Sequence, residues 1–169
     1  MASLLIGTRM LLVTLLALML QTTLFADVRI GGVAPEIVLA LAAITGFVAG
    51  PNRGAFAAFW MGLAYDVVLG TPTGLAALTF CVVAYVAGLA GEVTFRPAWW
   101  FASGATAVAS AGGVVVLFIV SLLVGQDLAT ESLVRLIVGV ALFNALFAPA
   151  IMAIVRWSYG RPHELRAAT

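Results

Sequence analysis

The chain has 169 residues, 64% hydrophobic and only 9% charged, with a net charge of +1 and a mean hydropathy of +1.18. So little polar surface cannot keep a compact globule soluble, whereas a helix bundle in lipid needs almost none. The composition excludes a soluble domain and leaves no nucleic-acid partner to expect. It points to an all-α membrane protein: one polytopic transmembrane domain over residues 1–169.

Seams of Gly, Pro or charge cut the chain into apolar runs at 10–25, 33–50, 54–69, 74–91, 98–125 and 133–155. Each is near the ~20 residues that a bilayer requires, which predicts a six-transmembrane-helix bundle. The first run, with Arg9 before it and Ala26 near a possible cleavage point, imitates a signal peptide. Five further spans argue for an uncleaved anchor. The second opens on Pro35 and Glu36, where a carboxylate complements the positive end of a helix dipole. The third is one of the two shortest, yet it crosses if extended to its flanking prolines, Pro51 and Pro72. The fourth holds the lone Cys81, which has no disulfide or thiolate-metal role to play. The fifth is long enough to tilt, and the sixth starts with Glu131 and Arg135, four apart and able to pair on one face.

Arginine placement sets the expected orientation, because short loops rich in Arg stay in the cytoplasm. With the N-terminus inside, Arg9, Arg53, Arg96, Arg156, Arg161 and Arg166 are cytoplasmic, and only Arg29 and Arg135 lie outside. Both termini are then cytoplasmic. Trp99, Trp100, Trp157 and Tyr159 fall at the cytoplasmic interface, where amphipathic rings anchor helix ends. Asp127 falls in an outer loop, and Asp66 toward the outer end of the third helix.

Small residues recur every four positions: Gly46 and Gly50 on the second helix, then Gly54, Ala58, Gly62, Asp66 and Gly70 on the third. Such strips let helix backbones approach closely in lipid. Ala105, Ala109 and Gly113, and Ala141 and Ala145, read the same way. Within the strip Asp66 stands out, since an ionised Asp at mid-membrane costs about 2.5–3.5 kcal/mol and normally faces protein or water. Two readings stay open for it: a hydrogen bond to the backbone of the Gly70 to Gly74 turn, and a contact to a partner. Asparagine at 66 is expected to serve nearly as well, because its amide oxygen still accepts hydrogen bonds.

The remaining chemistry is thin, and no enzyme is expected. The single histidine, His163, lies in the polar tail beside Pro162 and Glu164, which leaves no metal ligand or imidazole base within the membrane. Ser103, Ser110 and Ser121 have no base on the helices, and Asp66 lacks the second carboxylate of an aspartyl protease. The glycines at Gly31 and after Ala111 lack the spacing and Lys of a phosphate cradle, so no cofactor is expected.

Gln21 with Leu24, Pro35 with Glu36, the glycines Gly46, Gly50 and Gly54, then Gly62, Leu63, Asp66, Gly70, Pro72, Gly74 and Leu78 resemble, in order and spacing, the bacterial rod shape-determining MreD family. The resemblance runs from about Gln21 to Gly88; beyond it only hydropathy and length are similar. Glu36 stands where the family often has Asp. The resemblance implies a non-catalytic subunit of the cell-elongation machinery in the bacterial inner membrane. Its implied partners are an MreC-like periplasmic scaffold and, through it, RodA, a penicillin-binding transpeptidase and MreB filaments. Gln21, Glu36, Gly62, Asp66, Gly70 and Gly74 become the candidate structural or partner-interface residues, and Gly46, Gly50, Gly54 and Ala58 the packing residues. The bundle is also similar to the substrate-binding subunits of energy-coupling-factor vitamin transporters, which supplies an alternative function. A vitamin site needs convergent polar groups, and the intramembrane polar set here is little more than Asp66, Asn144, Tyr65 and Tyr85.

Overall fold

The computed structural model describes residues 2–23, 36–93, 99–123, 125 and 133–159. They form six helices: α1 (Ala2–Thr23), α2 (Ile37–Ala49), α3 (Pro51–Leu69), α4 (Leu75–Val93), α5 (Trp99–Leu123) and α6 (Leu133–Tyr159). The stretches Leu5–Thr23, Leu75–Glu92 and Val134–Tyr159 are long and apolar enough to cross a membrane, while Ile37–Ala49 and Ser103–Ile119 are apolar but shorter. Arg29, Pro35, Arg96, Asp127, Glu131, Arg161, His163 and Arg166 lie outside the described residues, as do the side chains of Trp99, Trp100 and Ser121.

The helix bounds depart from the apolar runs in instructive places. α1 begins at Ala2 rather than at residue 10, and α6 continues to Tyr159 rather than stopping at 155. The shortest helix is α2, with 13 residues, not α3. Hydropathy runs on where the helix does not: Glu36 is the N-cap of α2, with φ −103° and ψ 71°. At 1.5 Å per residue α2 rises only about 20 Å, well short of a ~30 Å hydrocarbon layer. It tolerates that because it is the centre of the bundle. Every residue from Val38 to Gly46 is buried, and α2 touches each of the other helices. A helix apolar all round belongs there.

Close approach is built from backbone against small residues. Gly62 of α3 lies so near Ala76 and Ala77 of α4 that a Cβ would come within 2.5 Å of the Ala76 oxygen and the Ala77 Cα. Gly46 of α2 is pressed on Ala84, Gly88 on Pro51 and Gly91 on Phe47, while Gly54 packs on Gly46 and Ala58 is fully buried. The alanines and glycines of α4 thus complete the strip on α2 and α3, which is the small-residue packing that lipid-embedded helices favour. Gly50 departs from the strip read in the sequence. It is the turn between α2 and α3, with φ +84°, and only the Glu92 carboxylate comes near its missing Cβ, at 3.9 Å. Pro51 then starts α3 at its first helical position, where the absent N–H costs nothing.

α1 is the most loosely held helix: it touches α2, α6 and, weakly, α3, and presents Leu11, Leu12, Leu16 and Met19 outward. In the interior, Asn144 of α6 donates to the Ser110 hydroxyl of α5 at 2.8 Å. Thr14 and Thr79 bond back to their own helices. Among the described buried side chains, Thr45 Oγ1 alone has no partner.

Candidate functional site

Two polar clusters occupy the end of the bundle where α1 and α3 finish and α2 and α4 begin. The first is Asp66, 1% exposed at the last full turn of α3. Its carboxylate Oδ1 accepts the Thr71 hydroxyl at 2.7 Å and the Ala76 N–H at 3.0 Å. Oδ2 accepts the Gly74 N–H at 2.8 Å, with the Ala77 N–H farther off at 3.4 Å. The main-chain oxygen of the same residue takes the N–H of Gly70 and that of Thr71. One residue therefore closes the whole turn.

The chemistry explains the residue types. The first amides of a helix lack intrahelical acceptors, and a Ser, Thr or Asp at the N-cap normally supplies one. α4 starts after Gly74, which has no side chain to offer, so Asp66 reaches across from the preceding helix to do it. Gly70 has φ +69°, a left-handed conformation that a side chain disfavours and that reverses the chain after α3. Asp66 fits because a carboxylate is acceptor-only, and every group facing it is a donor. This changes the expectation for asparagine. An amide would turn its NH₂ toward an N–H, since both carboxylate oxygens accept main-chain donors.

The second cluster joins three helices. Gln21, at the end of α1, donates from Nε2 to Glu36 Oε2 at 2.9 Å and accepts the Val38 N–H on Oε1 at 3.1 Å. The Tyr65 hydroxyl of α3 reaches both Glu36 oxygens, at 3.2 and 3.3 Å, and its ring meets Phe80 edge-on with centroids 5.4 Å apart. Glu36 makes no side-chain cap bond to α2. The bond expected of a cap comes from Gln21, again a residue of the preceding helix. Glu36, at the N-cap of α2, is then also the acceptor that draws α1 and α3 together.

The structure brings Gln21 and Glu36 together, sets Asp66 against Gly74 with Gly70 in the same turn, and places Gly62 one turn deeper against α4. Tyr65 is the member that sequence reasoning ranked only among general polar groups. Its signal was its position next to Asp66, which turns it about 100° around α3 toward α2. No group of three or more His, Cys, Asp or Glu that could hold a metal comes together among the described residues.

These features define a helical membrane protein whose buried polar groups at this end, among the described residues, are spent on one another. The model of the family described as rod shape-determining protein MreD matches residues 1–159, and the chain belongs to that family. Membership implies a role in determining rod shape. No curated protein and no solved structure matches the chain.

Proposed function

We propose that the chain is a non-catalytic, multi-pass subunit of the cell-elongation machinery in the bacterial inner membrane. In this reading it binds an MreC-like periplasmic scaffold and supports peptidoglycan synthesis with RodA, its penicillin-binding transpeptidase and MreB filaments. The observation that carries the reading is the family match over 1–159. All six helices cross as one bundle, α2 within the shelter of its neighbours, and both termini are cytoplasmic. The Gly70 to Gly74 turn then faces the periplasm, with Gly70 and Thr73 exposed. Asp66 acts on a partner only through the shape of that turn, since its own oxygens are occupied.

The transporter alternative gains nothing from the cavity between α4 and α5. Its volume is about 610 Å³, but among the described residues it is lined by Val82, Val86, Val108, Gly112 and other apolar residues, with no polar side chain to orient a vitamin.

Labelling a Thr73→Cys variant from either side of the membrane tests the orientation; modification from the cytoplasmic side alone would overturn it. Co-purification of the scaffold with an Asp66→Leu variant, read beside cell shape, tests the function. Rounded cells and weakened scaffold capture are expected. Normal shape with full capture would sink the role of Asp66 in holding the partner, and failure of the wild-type chain to recover the scaffold would sink the reading.

A further inference from the structure

The opposite end of the bundle carries three of the four described arginines, Arg9, Arg53 and Arg156, one each from α1, α3 and α6, while the fourth, Arg135, is exposed at the start of α6. The Arg9 guanidinium lies over the ring of Trp157, 5.0 Å from its centroid, and Trp157 is 63% exposed. Arg156, its neighbour in the last turn of α6, is exposed as well. Arg53 sits in the exposed first turn of α3, within electrostatic reach of the Tyr159 hydroxyl two residues beyond Trp157. Among the described residues no carboxylate forms an ion pair with any of these arginines. Among the described residues the acid at this end is Glu92, exposed at the close of α4 on the side of the Gly50 turn.

We propose that this face binds the phosphate of an anionic membrane lipid between the ends of α1, α3 and α6. Among the described residues these three cations lack a carboxylate partner, and they lie at the same end of the bundle, beside an indole suited to the headgroup layer. Stacking on Trp157 holds the Arg9 fork in place without neutralising it, so its donors remain for a phosphate oxygen. The first turn of α3 adds the positive end of a helix dipole next to Arg53. A lipid is favoured over an acidic protein segment because these groups lie where bilayer phosphates are already concentrated. The site does not depend on the scaffold reading, since any bilayer-embedded role of the chain leaves it in place.

The test is lipid retention by the full chain in native mass spectrometry, with phosphatidylglycerol or phosphatidylcholine added to the detergent-solubilised protein. Phosphatidylglycerol should be held more tightly by the wild type, with affinity falling about fivefold for each of Arg9→Gln, Arg53→Gln and Arg156→Gln. Arg→Lys at the same positions should retain most of the preference, which separates lost charge from lost fold. Equal retention of the two lipids, or no change in the triple Gln variant, would overturn the proposal. Displacement of the lipid by equimolar inorganic phosphate would overturn the lipid source and leave a free-anion site. Displacement by polyglutamate at equal charge would make the face a protein contact instead.

Discussion

The buried acids at one end of the bundle and the three arginines at the other are managed in opposite ways. At the turn end, Glu36 and Asp66 receive donors from Gln21, Tyr65, Thr71, Gly74 and Ala76, so each carboxylate is satisfied by the chain itself. At the other end Arg9, Arg53 and Arg156 have no described carboxylate as a partner. The difference teaches where to look for structure and where for surroundings. Substitutions at the acid end should cost stability in any detergent, while those at the arginine end should matter according to what lies around the protein.

Gly62→Leu is the largest perturbation and sets the scale, because the new side chain must enter the space held by the Ala76 and Ala77 backbone. Separation of α3 from α4 should abolish detergent-stable protein, whereas Leu63→Ile, on a half-buried position, should purify normally. Equal yields would remove the close approach as a structural requirement. Next comes Asp66→Leu, which strands the amides of Gly74 and Ala76 and should cost about 2–4 kcal/mol in thermal or denaturant unfolding. Asp66→Asn should lose about half as much, by opposing one donor with another. A wild-type melting temperature in the Asn variant would show that the turn can re-pair.

Gln21→Ala removes the link from α1 to both Glu36 and the Val38 amide, with an expected loss of about 1–3 kcal/mol. Hydrogen exchange should quicken at the start of α2 and stay unchanged at the start of α4. Acceleration at both would mean that the two clusters act as one. The smallest effect is expected from Trp157→Leu, which takes the ring from beneath Arg9 and should cost about 0.5–1 kcal/mol. A loss as large as that of Asp66→Leu would erase the distinction between the ends.

Sequence reasoning reached these features unevenly, for physical reasons. Six helices were legible because Gly, Pro and charge interrupt apolar runs at bilayer spacing. The shortness of α2 was not, since hydropathy is blind to where a helix caps. Asp66 and its turn were legible because their hydrogen bonds span only a few residues along the chain. The Gln21, Glu36 and Tyr65 contact was not, because Tyr65 is far from Glu36 in sequence and only the α2 to α3 reversal brings it back. Gln21 was noticed through family resemblance and Glu36 also through its place at the start of α2, without a reason for their pairing. The alanines of α4 passed as ordinary apolar residues, although they form half of the close-packed seam. Gly50 matched the four-residue repeat by spacing while serving as a turn.

Caps borrowed from the previous helix also bear on the order in which the chain can enter a membrane. α2 cannot satisfy the Val38 amide until the end of α1 is beside it, and α4 cannot satisfy Ala76 until α3 is in place. A lone α2 or α4 would leave those first-turn amides without their acceptors, which makes the hairpin rather than the single helix the natural unit of insertion. Glu36 retains an open acceptor until Tyr65 arrives from the second hairpin, and that late bond fixes the sliding position of one hairpin on the other. Each hairpin is thus finished by the last residues of its own first member.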